Sequence, residues 1–82
     1  MTLDRRLTAI FADILSPDAV ERLSIDSDME SVDGWDSQSY VEIVMAIEAA
    51  FGVEFSTLDA ARMNSIRSIY AVLAEKGVGL GT

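Results

Sequence analysis

Two stretches of this sequence carry reactive or ligating side chains close together. The first is Asp36-Ser37, directly before the long run Gln38 to Phe51 that contains no helix breaker. A serine hydroxyl at the mouth of a helix has two uses. It can accept a hydrogen bond from the free N–H groups of the first turn and act as a cap, as Asp36 also can. Alternatively it can face solvent and carry a covalent group. A phosphate ester there would be favoured by unpaired N–H groups and the positive end of the helix dipole, by about 0.3–1 kcal/mol at an exposed site. The second stretch is the loop 24–36, with Asp26, Asp28, Glu30, Asp33 and Asp36 and no Lys or Arg. A calcium loop of the helix–loop–helix type needs oxygen ligands at positions 1, 3, 5 and 12 and glycine at 6. Counting from Asp26, position 6 is Ser31 and position 12 is Ser37, so the turn glycine and the bidentate glutamate are both missing. No metal site is expected, and the loop reads as a solvated acidic segment.

Other chemistry is excluded by composition. The chain has no His and no Cys. The commonest general base and the best side-chain nucleophile are therefore absent, and no Ser-His-Asp or Cys-His arrangement can be built. Gly77, Gly79 and Gly81 lie near the end, with no strand before them and no helix after, so they form no phosphate-cradling loop. The chain is not expected to be an enzyme.

The elements that must position Ser37 follow from periodicity. The segment from Ser37 to Phe51 reads as a helix of about four turns, opened by Asp36 or Ser37 and closed at Gly52, a residue tolerant of positive φ. Ile43, Ile47 and Phe51 recur at i, i+4, i+8, with Val44 and Ala50 beside them, which gives one core face. Val41 and Met45 make a second, smaller apolar stripe, flanked by Gln38, Glu42 and Glu48. Apolar groups rimmed by carboxylates point to a docking surface.

Upstream, residues 3 to 15 form a first helix, with Leu3, Leu7, Ile10, Phe11 and Ile14 on one stripe and Asp4, Arg5, Thr8 and Asp13 facing out. Ser16-Pro17 ends it, because the residue before proline is pushed out of helical geometry. Residues 18 to 23 add a short turn. In the loop that follows, Ile25, Met29, Val32 and Trp35 are spaced as pins onto the helices, and a loop of this length in a compact domain is often functional. Downstream, Ser56 and Asp59 form a capping box for a short helix over 57 to 62. Asn64 or Ser65 caps a last helix over 65 to 76, with Ile66, Ile69, Tyr70 and Leu73 inward, Lys76 suited to the dipole and Gly77 closing it. Residues 78 to 82 read as a mobile tail, leaving 1 to 77 as the folded domain. The expected architecture is all-α: three main helices and one short one in a small four-helix bundle. Hydrophobic residues make up 50% of the chain, enough to favour a packed bundle over disorder.

Charge narrows the partners. Fourteen acidic residues against six basic ones give a net charge of −8. Nucleic acid is disfavoured, since its binding depends on Lys and Arg neutralising phosphates. A basic protein partner is favoured. No apolar run approaches the ~20 residues of a membrane span, and the N-terminus does not read as a secretory signal. A cytoplasmic monomer fits these features.

The segments Asp36-Ser37, then Val41-Glu42-Ile43-Val44-Met45-Ala46-Ile47-Glu48, then Phe51-Gly52-Val53-Glu54-Phe55, resemble the acyl carrier protein family, which usually carries Asp-Ser-Leu followed by this same helix. The likeness extends over most of the chain. It implies a carrier whose Ser37 bears 4′-phosphopantetheine, transferred from coenzyme A by a phosphopantetheinyl transferase. The arm's thiol would hold acyl or aminoacyl groups as thioesters and pass them between enzymes of a fatty-acid, polyketide or related pathway. It also implies that Asp36, Glu42 and Glu48 face basic patches on those partners, with Val41 and Met45 as apolar contacts. Ser39, a second hydroxyl, lies past the motif position. Ala46, Ala49 and Ala50 are small enough to leave room for a carried chain between helices. There are departures from the family pattern. Gln38 stands where leucine is usual, and the 57–62 segment has Asp59 as its only acid, with Leu58, Ala60, Ala61 and Arg62 around it. These point to a specialised carrier with dedicated partners. The rival readings are an unmodified acidic interaction module, in which Ser37 is only a cap, and a calcium regulator built on the 26–36 loop.

Overall fold

A computed structural model of the chain describes residues 3–80. It contains five helices and no β-strand among those residues: α1 (Arg5–Ile14), α2 (Pro17–Glu21), α3 (Ser37–Phe51), α4 (Thr57–Ala61) and α5 (Ile66–Glu75). The three long helices and the short α4 stand where periodicity places them. The short turn expected over 18 to 23 is a helix in its own right, opened by Ser16, whose hydroxyl accepts from Ala19 N–H, with Pro17 at its first position. Proline is suited to that position because its missing N–H would be unpaired there anyway.

The core is drawn from all three long helices: Leu7, Ile10 and Phe11 of α1, Ile43, Val44 and Ile47 of α3, and Ile66, Ile69, Val72 and Leu73 of α5. Helices of this length are marginal alone. Burial of side chains such as Phe11 and Ile47, both fully enclosed, at about 1.5–3 kcal/mol each, therefore supplies the stability. Met63, between α4 and α5, is also fully enclosed. Along α3, Phe51 is only half-buried and Ala50 is exposed, so the core face of that helix is narrower than the spacing suggests.

The long loop is held down as its apolar residues require. Ile25, Met29 and Val32 are half-buried against the core, and Trp35 is 2% exposed with its ring edge-on to Phe11 at 5.1 Å. Its indole N–H has no partner. The loop also makes main-chain bonds that no local pattern announces. Met29 N–H donates to Asn64 O at 3.0 Å and Ile66 N–H to Ser27 O at 2.9 Å, a short bridge that fixes the loop to the start of α5.

Asp4 does not face out. It is 5% exposed and is the N-cap of α1, accepting from Arg6 N–H at 2.8 Å. Its own N–H donates to the Tyr70 hydroxyl at 2.8 Å. The Arg6 guanidinium bonds the Asp4 carboxylate, lies 4.4 Å over the Phe51 ring and donates to Gly79 O at 2.9 Å. A helix that starts at Arg5 needs its cap one residue earlier, and that need outweighs the preference of a carboxylate for water. The segment expected as a mobile tail makes contacts as far as Leu80. Val78 N–H donates to Leu73 O, and Val78 and Leu80 pack against the core. Residues 81 and 82 of that segment lie outside the described residues. No helix among the described residues is long and apolar enough to cross a membrane.

Candidate functional site

The mouth of α3 is closed by a reciprocal cap that leaves Ser37 out. Asp36 is the N-cap, with extended backbone. Its carboxylate accepts from Gln38 N–H and Ser39 N–H, both at 3.1 Å. In return Ser39 Oγ accepts from Asp36 N–H at 2.8 Å and donates to Gly34 O at 2.6 Å. Gly34 sits at φ 88°, which a residue with a Cβ would adopt only with strain, and this bend brings its carbonyl to Ser39. Ser37 is the first helical residue. It is exposed, and its hydroxyl takes no part in the cap. Ser39 is 8% exposed and fully engaged. The two nearby hydroxyls are thus sorted by geometry into one that faces solvent and one that is sealed.

The cap revises one expectation. The carboxylate of Asp36 already occupies the N–H groups of Gln38 and Ser39, so a phosphate ester on Ser37 would not find those donors free. The anion that the helix start attracts is Asp36 itself. The Ser39 N–H bond, with that of Gln38 and the Ser39 hydroxyl, holds the Asp36 carboxyl below the ordinary carboxylate value against some opposing desolvation. A charged, engaged carboxylate beside Ser37 is a fixed negative landmark and a weak base.

Behind the cap, Gln38, Val41, Glu42 and Met45 share the outer face of α3. Val41 is 52% exposed and Met45 63%, with Glu42 exposed beside them. Glu48 stands apart from this group. It is half-buried, and its Oε2 accepts from Phe55 N–H at 2.8 Å, tying the end of α3 to the segment before α4. Ala49 and Ala50 are exposed and only Ala46 is half-buried, so the three small residues do not line an interior space together.

Leu58 was not legible as a surface feature. It is 78% exposed on α4. The available signal was the capping box: Ser56 Oγ accepts from Asp59 N–H and Asp59 Oδ2 accepts from Ser56 N–H, both at 3.1 Å. That box fixes which side of so short a helix faces out. The Tyr40 hydroxyl donates to Ala60 O and fastens α4 to α3. In the acidic loop, Asp28 Oδ1 accepts from Glu30 N–H and Ser31 N–H, and Asp26 pairs with Arg67 at 2.6 Å. Asp28 is therefore a turn-former. Among the described residues no three metal-ligating side chains converge.

The surroundings of Ser37 fit a covalently held group: an exposed hydroxyl at the end of a rigid helix, free of any structural duty. The family model for a phosphopantetheine attachment site matches residues 5–73. Acyl carrier protein 2 of Pseudomonas aeruginosa strain PAO1 is 42% identical over 53 residues, which is 65% of this chain and 67% of that protein. The acyl carrier protein of Solidesulfovibrio magneticus strain RS-1 is 32% identical over 78 residues, covering 93% of this chain and 96% of that protein. A helical fold, a solvent-facing serine at the start of its longest helix and this similarity over most of the length converge: the chain belongs to the acyl carrier protein family, whose members are carriers of covalent 4′-phosphopantetheine and not enzymes.

Proposed function

We propose that Ser37 is the attachment residue and that the chain is a specialised acyl or aminoacyl carrier, working in the cytoplasm as a monomer. The observation that carries this reading is the exclusion of the Ser37 hydroxyl from its own helix cap. A serine that served only as a cap would have its oxygen on the N–H groups that Asp36 holds instead.

In the modification, Ser37 Oγ forms one P–O bond as the pyrophosphate link of coenzyme A breaks, with adenosine 3′,5′-bisphosphate leaving. The hydroxyl proton must go to a base on the transferase. This chain has no histidine, and the nearest carboxylate, Asp36, is held low and turned into the helix. The bound arm supplies a thiol, which the chain lacks, to hold acyl groups as thioesters. The chain's own contribution is to fix the attachment atom at a rigid helix start and to surround it with Asp36, Gln38, Val41, Glu42 and Met45 as contacts for partners bearing basic patches. Glu48 contributes charge at the margin, from a side chain already bound to Phe55 N–H. Specialisation is supported by Gln38 at the position next to Ser37 and by the scarcity of free acids along α4.

Co-expression with a broad-specificity phosphopantetheinyl transferase, followed by intact-mass measurement, tests the attachment. A gain of one phosphopantetheine is expected, and Ser37→Ala removes it. Modification that persists in that variant refutes the assignment. Normal acyl elongation on the modified chain by standard fatty-acid synthesis enzymes would refute the specialised role alone.

A further inference from the structure

We propose that Ser39 is a positioning residue for the modification of Ser37: its hydroxyl holds the start of α3 at Asp36 and so keeps Ser37 Oγ off the helix's own N–H groups. The inference rests on Ser37 as the attachment residue and adds what keeps that hydroxyl available.

The other helix mouths show what a serine does in this molecule. Ser16, Ser56 and Ser65 each precede a helix, and each spends its Oγ on the N–H three residues on, that of Ala19, Asp59 and Ser68. Ser37 has the same opportunity. A helix start moved along by one residue would make Ser37 the N-cap, with Ser39 N–H and Tyr40 N–H as the donors its Oγ would take. The move gives up one main-chain bond of α3, from Tyr40 N–H to Asp36 O at 2.8 Å. In that register the attachment oxygen is turned onto the helix end as an acceptor and is lost as a nucleophile. The two registers therefore compete for the same hydroxyl, and the molecule must favour Asp36 as the cap.

Asp36 supplies part of that preference, since its carboxylate accepts from Gln38 N–H and Ser39 N–H. Ser39 supplies the rest. Its Oγ accepts from Asp36 N–H at 2.8 Å and donates to Gly34 O at 2.6 Å. A hydroxyl can accept and donate at one atom, whereas alanine can do neither. The bond to Gly34 matters because its far end is anchored. Gly34 adjoins Trp35, which is enclosed and edge-on to Phe11, and Trp35 N–H donates to Val32 O at 3.2 Å. Ser39 thus ties the first turn of α3 to a loop pinned in the core, and the tie passes over Ser37 without using it. The shifted register has no such reciprocal bond. Its third helical residue would be Tyr40, whose hydroxyl is already given to Ala60 O. Removing two bonds of ordinary strength shifts the balance between the registers about tenfold or more toward Ser37 as the cap.

The test is steady-state phosphopantetheinylation of the full chain by a broad-specificity transferase with coenzyme A, together with NMR of the unmodified proteins. Chains with Ser37 spent as a cap are lost as usable substrate, which raises KM and leaves kcat in place. We expect Ser39→Ala to raise KM about fivefold with kcat within about twofold, and to move the Cα and Cβ shifts of Ser37 from helical toward extended values. Ser39→Thr keeps a hydroxyl for both bonds and should hold KM within about twofold of the wild type, with helical shifts at Ser37. Ser56→Ala removes the cap of α4 and lowers the melting temperature. It should leave both KM and the Ser37 shifts where they are, which separates positioning from lost stability. One measurement needs no variant: hydrogen exchange at Asp36 N–H in the wild type should be slowed by its bond to Ser39 Oγ. Unslowed exchange there overturns the proposal even where Ser39→Ala does not fold. So does an unmoved KM with helical Ser37 shifts in Ser39→Ala, or an equal rise in KM in Ser56→Ala, and either result leaves the Ser37 reading intact. Failure of the wild-type chain to be modified overturns the Ser37 reading and, with it, the role assigned to Ser39.

Discussion

The mouths of α3 and α4 are built from the same two residue types and end with opposite results. At α4 the serine is the N-cap and the aspartate stands three residues on, so Ser56 Oγ is consumed by Asp59 N–H. At α3 the aspartate is the N-cap and the answering residue is Ser39, which leaves Ser37 one step inside the helix and outside the box. Both caps satisfy their orphan N–H groups. Which of the two types takes the N-cap position decides whether the nearest serine is a structural part or keeps its hydroxyl free. The presence of the pair carries little information, and the position of the helix start carries most of it.

Four measurements put this contrast to the test. The largest effect is expected from Ser37→Ala, which abolishes modification while leaving thermal stability within the roughly ±0.5 kcal/mol of an ordinary surface change. Loss of several degrees in that variant would show that the hydroxyl has a structural role. Ser39→Ala should come next. It removes the acceptor of Asp36 N–H and the donor to Gly34 O, two hydrogen bonds at about 0.5–1.5 kcal/mol each, at a total cost of about 1–3 kcal/mol in chemical denaturation. Third, Ser56→Ala should cost about 1 kcal/mol as a lost cap, a drop of roughly 4–8 °C in a domain of this size. It should leave the mass gain at Ser37 untouched.

The smallest effect is in acid. The carboxyls of Asp36 and Asp59 both titrate below their unfolded value of about 3.9 in the folded chain. Their contribution is therefore complete above that value and is lost as pH falls through the lower folded value. The causes differ. Asp59 is lowered first by its bond to Lys76 and then by Ser56 N–H, whereas Asp36 is lowered chiefly by Ser39 N–H. Added salt should weaken the Asp59 share of the acid transition and spare the Asp36 share. Thermal melts of Asp36→Asn and Asp59→Asn between pH 2 and 6, at low and high salt, read the two apart. Equal salt sensitivity in both variants would erase the distinction.

What was legible in the chain is what local pattern encodes. The span of α3, the αL cap at Gly52, the Ser56 box and the inward turn of Trp35 all follow from spacing within a few residues. The exposed face holding Val41 and Met45 was visible as an apolar stripe with no place in the core pattern. The failures share a different origin. Asp4 becomes a cap because Tyr70 and Arg6 close around it, and Glu48 is drawn from the surface by the N–H of Phe55. The loop is fixed by main-chain bonds between Ser27 and Ile66 and between Met29 and Asn64. Apart from Arg6, none of these partners lies within one helical turn, so no local periodicity could report them. Leu58 was missed for a related reason: on a helix of five residues, one apolar position makes no stripe.

The lone tryptophan has a practical consequence. Trp35 stands two positions before Ser37, enclosed and edge-on to Phe11, while both tyrosines lie elsewhere on the bundle. The chain therefore contains an intrinsic fluorophore next to the proposed attachment residue. Its emission should report local opening between α1 and the loop in the unlabelled protein, and a comparison before and after loading would show whether cargo disturbs the adjoining interior.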